Sequence, residues 1–210
     1  MTNLGTNINQ DLSSFSSVWG VSAFDVISSQ EQSYLSDYLS TGGGVYLTGE
    51  RPCCESLNQS LTTFVNTVVD GGGIQVGGLG DQGSFATINQ SVVGNLAQSP
   101  NSLTTWSPSA SGGMAGVAAN NIFASTSGGG VVAAAWDMED LIGDSGRMVL
   151  MMDVNWLSGT NQLNTLENIE VFLAGAEVAS NDGDVPVPSS IALLGLGFAG
   201  LSLVRKKKAA

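Results

Sequence analysis

Hydrophobic residues fall into alternating strand-like and helix-like registers over the first part of the chain. "SSVWGVSAF", residues 16–24, has the β-branched and aromatic content of a buried strand. Ser28 and Glu31 then form a capping-box pattern, which opens a helix carrying Tyr34, Leu35, Tyr38 and Leu39 on one face. "TGGG" stops it, because glycine tolerates the left-handed geometry of a helix end. "VYLT", Val45 to Thr48, reads as a short interior strand, and "GERPCCE" turns into a second helix. On that helix Leu57, Leu61, Phe64, Val65 and Val68 keep helical spacing until Gly71 to Gly73 end it. Strands alternating with helices are the grammar of a parallel sheet covered by helices.

From 77 to 130 the pattern fades into Gly, Ser, Asn and Ala, with Asp81 as the one charged residue. This stretch is expected to be an irregular surface excursion. "VVAAAW", Val131 to Trp136, and "RMVLMMDVNW", Arg147 to Trp156, return as strands around an acidic loop. "LNTLENIEVFLAGA", Leu163 to Ala176, then forms a helix with Leu163, Leu166, Ile169, Phe172 and Leu173 on one stripe. The organisation expected is an α/β domain over 1–176 with an irregular insertion at 77–130, an acidic linker at 177–184 and a separate tail at 185–210.

Composition narrows the classes of function. Hydrophobic residues make up 42% of the 210 residues, enough for a core, while charged residues are only 11% against about 25% in an average soluble protein. All 18 acidic residues lie at or before Asp184, and only Arg51 and Arg147 oppose them there, a net charge of −16. Such a body repels phosphate backbones and offers no basic patch, which excludes nucleic acid as a partner. Histidine is absent, which excludes Ser-His-Asp or Cys-His nucleophile activation and His-ligated zinc. Nothing in the sequence calls for a cofactor.

The tail, "VPVPSSIALLGLGFAGLSLVRKKKAA", differs from everything before it. Ile191 to Val204 is a run of 14 uncharged residues with a single hydroxyl, Ser202. Counting from Val185 extends it to the ~20 residues that a membrane-spanning helix needs. Arg205, Lys206, Lys207 and Lys208 follow at once, and the positive-inside tendency holds such a cluster in the cytoplasm with the rest of the chain outside. Pro186-Val187-Pro188, a Ser-Ser pair, a Leu/Gly-rich hydrophobic run and a terminal Arg/Lys cluster together resemble the PEP-CTERM sorting signal of Gram-negative bacteria. The resemblance implies recognition at Val185, Pro186, Val187 and Pro188 by an exosortase, a membrane protease-transpeptidase. It further implies anchoring in the inner membrane through a transmembrane helix, then export to the cell surface, and association with extracellular polysaccharide in a matrix or biofilm. Val187 stands where that family usually has Glu. "MTNLGTNINQDLSS" is neither basic nor oily as a signal peptide should be, so a further N-terminal segment is expected upstream of Met1.

"YLSTGGGVYLTGE" and "GRMVLMMDVNW" followed by "LENIEVFL" resemble the class I glutamine amidotransferase-like fold in its non-amidotransferase branches. That implies a three-layer, flavodoxin-like parallel sheet whose usual first strand would lie before Met1. At the position of the family's nucleophilic cysteine stands Glu50, with Cys53 and Cys54 three and four residues later. Without histidine, amidotransferase activity is expected to be absent.

Doubly wound sheets bind ligands beyond the carboxyl ends of their strands, which makes Glu50, Arg51, Asp153 and Asn155 a candidate pocket. Glu50 either acts as a base raised by burial, or caps the next helix or pairs with Arg51 or Arg147. The adjacent Cys53 and Cys54 can form an eight-membered disulfide ring, pair between chains, or stay as packed free thiols, the arrangement expected here. Asp137, Glu139, Asp140 and Asp144 gather oxygen ligands of the type calcium takes, but without EF-hand spacing, and a solvated acidic loop is expected. Two functions follow: a displayed, non-catalytic domain that binds glycan or protein, or a polysaccharide hydrolase whose paired carboxylates, Glu50 and Asp153, would face each other at about 5 to 10 Å.

Overall fold

A computed structural model describes residues 8, 10–158 and 162–175. The linker, the sorting segment and the anchor lie outside the described residues.

The first half follows the hydrophobic pattern in its order of elements, but the strand expected over 16–24 ends at Gly20, leaving Val21 and Phe24 exposed. Strand β1 (Ser17–Gly20) leads to helix α1 (Ser29–Ser40), then β2 (Gly44–Gly49) and helix α2 (Glu55–Val68). The capping box at α1 forms as the sequence predicts: the Glu31 amide donates to Ser28 Oγ at 3.3 Å, and the Ser28 amide donates to Glu31 Oε2 at 2.8 Å. Burial pulls the Glu31 carboxyl upward, but bonds from Ser28 Oγ and from the Ser28 and Ile8 amides outweigh it and leave the pKa below the ordinary value.

The segment expected to be irregular supplies five strands, β3 (Gln75–Gly83), β4 (Ala86–Ile88), β5 (Thr105–Trp106), β6 (Ser111–Ala115) and β7 (Ile122–Ser125). β8 (Val131–Trp136), β9 (Arg147–Met152) and α3 (Leu163–Leu173) complete the fold. β9 ends four residues before Trp156, the predicted limit, because a turn of 3-10 helix occupies Val154–Ser158. On α3 the stripe begins at Leu166, since Leu163 is 59% exposed.

All nine strands among the described residues join one sheet, in the order β1-β2-β9-β8-β7-β4-β5, with β6 attached to β8 and β3 to β6. β1, β2 and β9 run parallel; every other pairing is antiparallel. The expected all-parallel sheet is therefore a mixed α/β sheet. The reason is in the connections. A parallel pair needs a crossover of a dozen or more residues, usually a helix, and no α-helix is described between β3 and β8. Without a helix to carry a crossover, antiparallel pairing is the solution there.

Around β2 and β9 the core has two sides. Tyr46, Val149 and Met151 face α3, where Ile169, Phe172 and Leu173 join a cluster that also takes Trp106, Phe123 and Trp156. Trp156 Nε1 donates to the Tyr46 hydroxyl at 2.9 Å, and Trp19 stacks on Tyr46 at a centroid distance of 4.3 Å. Burial pushes the Tyr46 phenol far above its usual range, so it stays protonated. Strand alternation turns Val45, Leu47, Met148 and Leu150 to the other face. α1 and α2, which contact β2, bury Leu35, Leu39, Leu61 and Phe64 outside the first cluster.

Candidate functional site

The register of β2 and β9 aligns Gly49 with Met152, so Glu50 and Asp153 leave the sheet side by side at its carboxyl edge. Sequence reasoning places both there, and the structure brings them together. Their surroundings are not those of an open pocket. Glu50 is 4% exposed and Asp153 is fully buried. Glu50 Oε1 accepts from the Val154 amide at 2.9 Å, and Oε2 has a longer contact from the Arg51 amide at 3.4 Å. Asp153 Oδ2 accepts from the amides of Ser109 and Ala110, and Oδ1 from the Asn155 amide at 2.8 Å and Asn155 Nδ2 at 3.0 Å. Asp153 holds a φ of 104°, a conformation that side-chain-bearing residues rarely adopt, and its own amide donates to Gly49 O at 2.7 Å.

Glu50 therefore neither caps α2 nor pairs with an arginine. It ties the end of β2 to the turn that follows β9. Arg51 is exposed. Arg147 pairs instead with Asp137, Nε to Oδ1, at 2.7 Å, and lies over the Phe172 ring at 5.4 Å from its centroid.

Two residues that sequence reasoning missed complete this edge. Asn58, buried on α2, accepts the Glu50 amide at 3.0 Å and donates to the Glu50 carbonyl at 2.7 Å. Gly112 on β6 passes so near that a Cβ there would stand 2.5 Å from the Glu50 carbonyl oxygen. Asn58 left a signal, a polar side chain between Leu57 and Leu61 on the inward stripe. Gly112 left none beyond its being glycine.

The acidic loop is organised by its own backbone. Asp137 Oδ1 accepts from the Met138 amide at 2.8 Å as well as from Arg147, and Asp140 Oδ2 accepts from the Asp137 amide at 3.0 Å. Glu139 and Asp144 are exposed. Among the described residues, these four carboxylates do not converge on a common point. Metal-ligating atoms do converge elsewhere: those of Glu50, Cys53 and Cys54 lie within 4.8 Å of one another.

Cys53 and Cys54 are joined to each other, not free as expected. Both lie on the 3-10 turn Pro52–Cys54, which brings the two sulfurs to the same side at the entry to α2. Cys53 is exposed and Cys54 buried. Their bridge forms part of an open depression of about 330 Å³, lined also by Phe24, Pro52, Glu55 and Leu57.

Comparison with known proteins speaks to the tail. Residues 184–207 match the PEP-CTERM protein-sorting motif. No curated protein and no solved structure matches the chain. The amidotransferase-like resemblance of the body thus has no support from relatives, and its fold stands as a mixed α/β domain built mainly on a sheet. Among the described residues no helix is long and apolar enough to cross a membrane. The sorting motif supports an exosortase substrate that is exported, anchored in the membrane and then processed.

Proposed function

We propose that this protein is displayed at the cell surface or in the extracellular matrix, and that its α/β domain binds glycan or a partner protein without catalysing a reaction. The match at 184–207 carries the reading, because a sorting signal of this kind supports an exported, exosortase-processed protein. In this proposal the domain spans 1–176, residues 177–184 tether it, and 185–210 are the address, with Ile191 to Val204 as the anchor and Arg205 to Lys208 holding it to the cytoplasmic side.

The carboxyl edge supports a non-catalytic domain. Glycoside cleavage needs one carboxyl to donate a proton to the leaving oxygen and the other to attack or to activate water. Asp153 is enclosed, with both oxygens engaged by amides, and Glu50 is bridged to the turn after β9. Those bonds make the pair a structural brace. Phe24, 75% exposed beside the depression, offers an aromatic face of the kind that sugar rings stack on.

Incubating the purified chain with extracellular polysaccharide from an exosortase-bearing bacterium tests the reading. Co-sedimentation with no new reducing ends is expected, weakened by Phe24→Ala. Reducing ends released by the wild type and lost in Glu50→Gln would establish the hydrolase instead.

A further inference from the structure

We propose that Cys53, Cys54 and Glu50 form a redox-gated site for a thiophilic divalent cation of the zinc class, closed while the cysteines are bridged and open once they are reduced. This inference is independent of glycan binding.

Three features converge at the start of α2. The ligand atoms of the three residues already lie within 4.8 Å of one another. A tetrahedral ion holding thiolates at about 2.3 Å separates its ligands by roughly 3.3 to 3.8 Å, so small side-chain adjustments suffice. Only one Glu50 oxygen is firmly held: Oε1 accepts from the Val154 amide at 2.9 Å, whereas Oε2 has only the 3.4 Å contact from Arg51. Cys54 is the N-cap residue of a 14-residue helix and makes no side-chain capping bond. The helix dipole favours negative charge at such a position. Two thiolates and a carboxylate leave one position for water or a ligand, and the thiolates select zinc-class ions over calcium or magnesium.

Asymmetric burial gives opening a direction. Both cysteines border the depression, but Cys53 is exposed and Cys54 buried. A thiolate of an external dithiol attacks the Cys53 sulfur, forms a mixed disulfide there and expels the Cys54 thiolate. The second thiol of the reductant then attacks the mixed disulfide, releasing Cys53 and leaving the reductant as its own disulfide. Two electrons pass from the dithiol to the cysteines, and its two thiol protons end on them or in solvent. Cation binding displaces whatever protons the two cysteines still hold.

Cadmium, whose thiolate complexes absorb in the ultraviolet, is the probe. The full chain in detergent, reduced by a phosphine and freed of oxygen, should bind one cadmium per chain with a thiolate charge-transfer band, and zinc should displace it. The oxidised chain should show no band. Cys53→Ser, at an exposed position, should abolish the band, and Glu50→Gln should weaken binding by at least about tenfold. If Glu50→Gln does not fold, Glu50→Asp, which draws the carboxylate back, carries the same expectation. A reduced wild-type chain that gives no one-to-one saturation at micromolar cadmium overturns the proposal. So does a folded Glu50 variant that binds as tightly as wild type.

Discussion

Asp153 commits both carboxylate oxygens to backbone amides, and that decides what its substitution does. Bonds to a charged acceptor contribute about 1.5 to 3 kcal/mol each, and a buried amide left without a partner carries a further cost. Asp153→Ala, which strands the Ser109 and Ala110 amides, is expected to lower stability by about 3 kcal/mol in denaturant unfolding. Glu31 offers a separate test at the capping box. Its folded pKa lies below the unfolded value, so its contribution is present above the unfolded pKa and lost as pH falls through the folded one. Glu31→Ala should therefore cost about 1 kcal/mol at neutral pH, with the gap to wild type narrowing below about pH 4.5. A gap that is constant with pH would contradict the charge-assisted cap. Of these two carboxylates the sequence made one role readable. The Ser28/Glu31 spacing announces its own geometry, whereas the Ala110 and Ser109 amides that hold Asp153 Oδ2 lie 43 and 44 residues away, beyond the reach of any local pattern.

Elements were legible where hydrophobic residues recur at a regular period. Both helices of the first half follow their apolar stripes, while β8 and β9 follow continuous apolar runs buried on both faces. β3 and β6 were not legible. "QVGGLGDQG" and "SGGMA" have little β-branched content, and the pairing between them shifts register twice, so no two-residue period survives. Their strand state depends on partners distant in the chain: β3 pairs with β6, and β6 with β8 through Met114 and Val131. Close approach explains the glycine at 112: Gly112→Val would press on the backbone of Glu50 and Arg51, and a loss of about 2 kcal/mol is expected by thermal unfolding. Late in the chain, α3 packs on the Tyr46 face of the sheet. Phe172, 3% exposed and in contact with the Arg147 guanidinium, should cost about 4 kcal/mol when changed to alanine.

At the scale of the whole molecule, two chemically different pieces share one chain. The body carries 18 carboxylates against two arginines, and the tail holds the other four cations. The proposed processing would therefore move the net charge from −12 to −16, a change that isoelectric focusing can follow without an antibody to the tail. The tail's role was readable in the sequence because its parts act through composition and order: prolines, an uncharged run, then bases. A ligand for the body was not, because the bonds that hold Glu50 and Asp153 at the carboxyl edge come in part from Val154, Ser109 and Ala110, far away in the sequence. The most direct measurement follows the polypeptide in a Gram-negative host with its exosortase present or deleted, by cell fractionation and intact mass of the purified chain. A shortened species without the four terminal cations, outside the inner membrane, is expected with the exosortase present. Full-length chain retained in the inner membrane is expected without it. Full-length polypeptide in the cytosol of both strains would contradict the sorting role of residues 184–207.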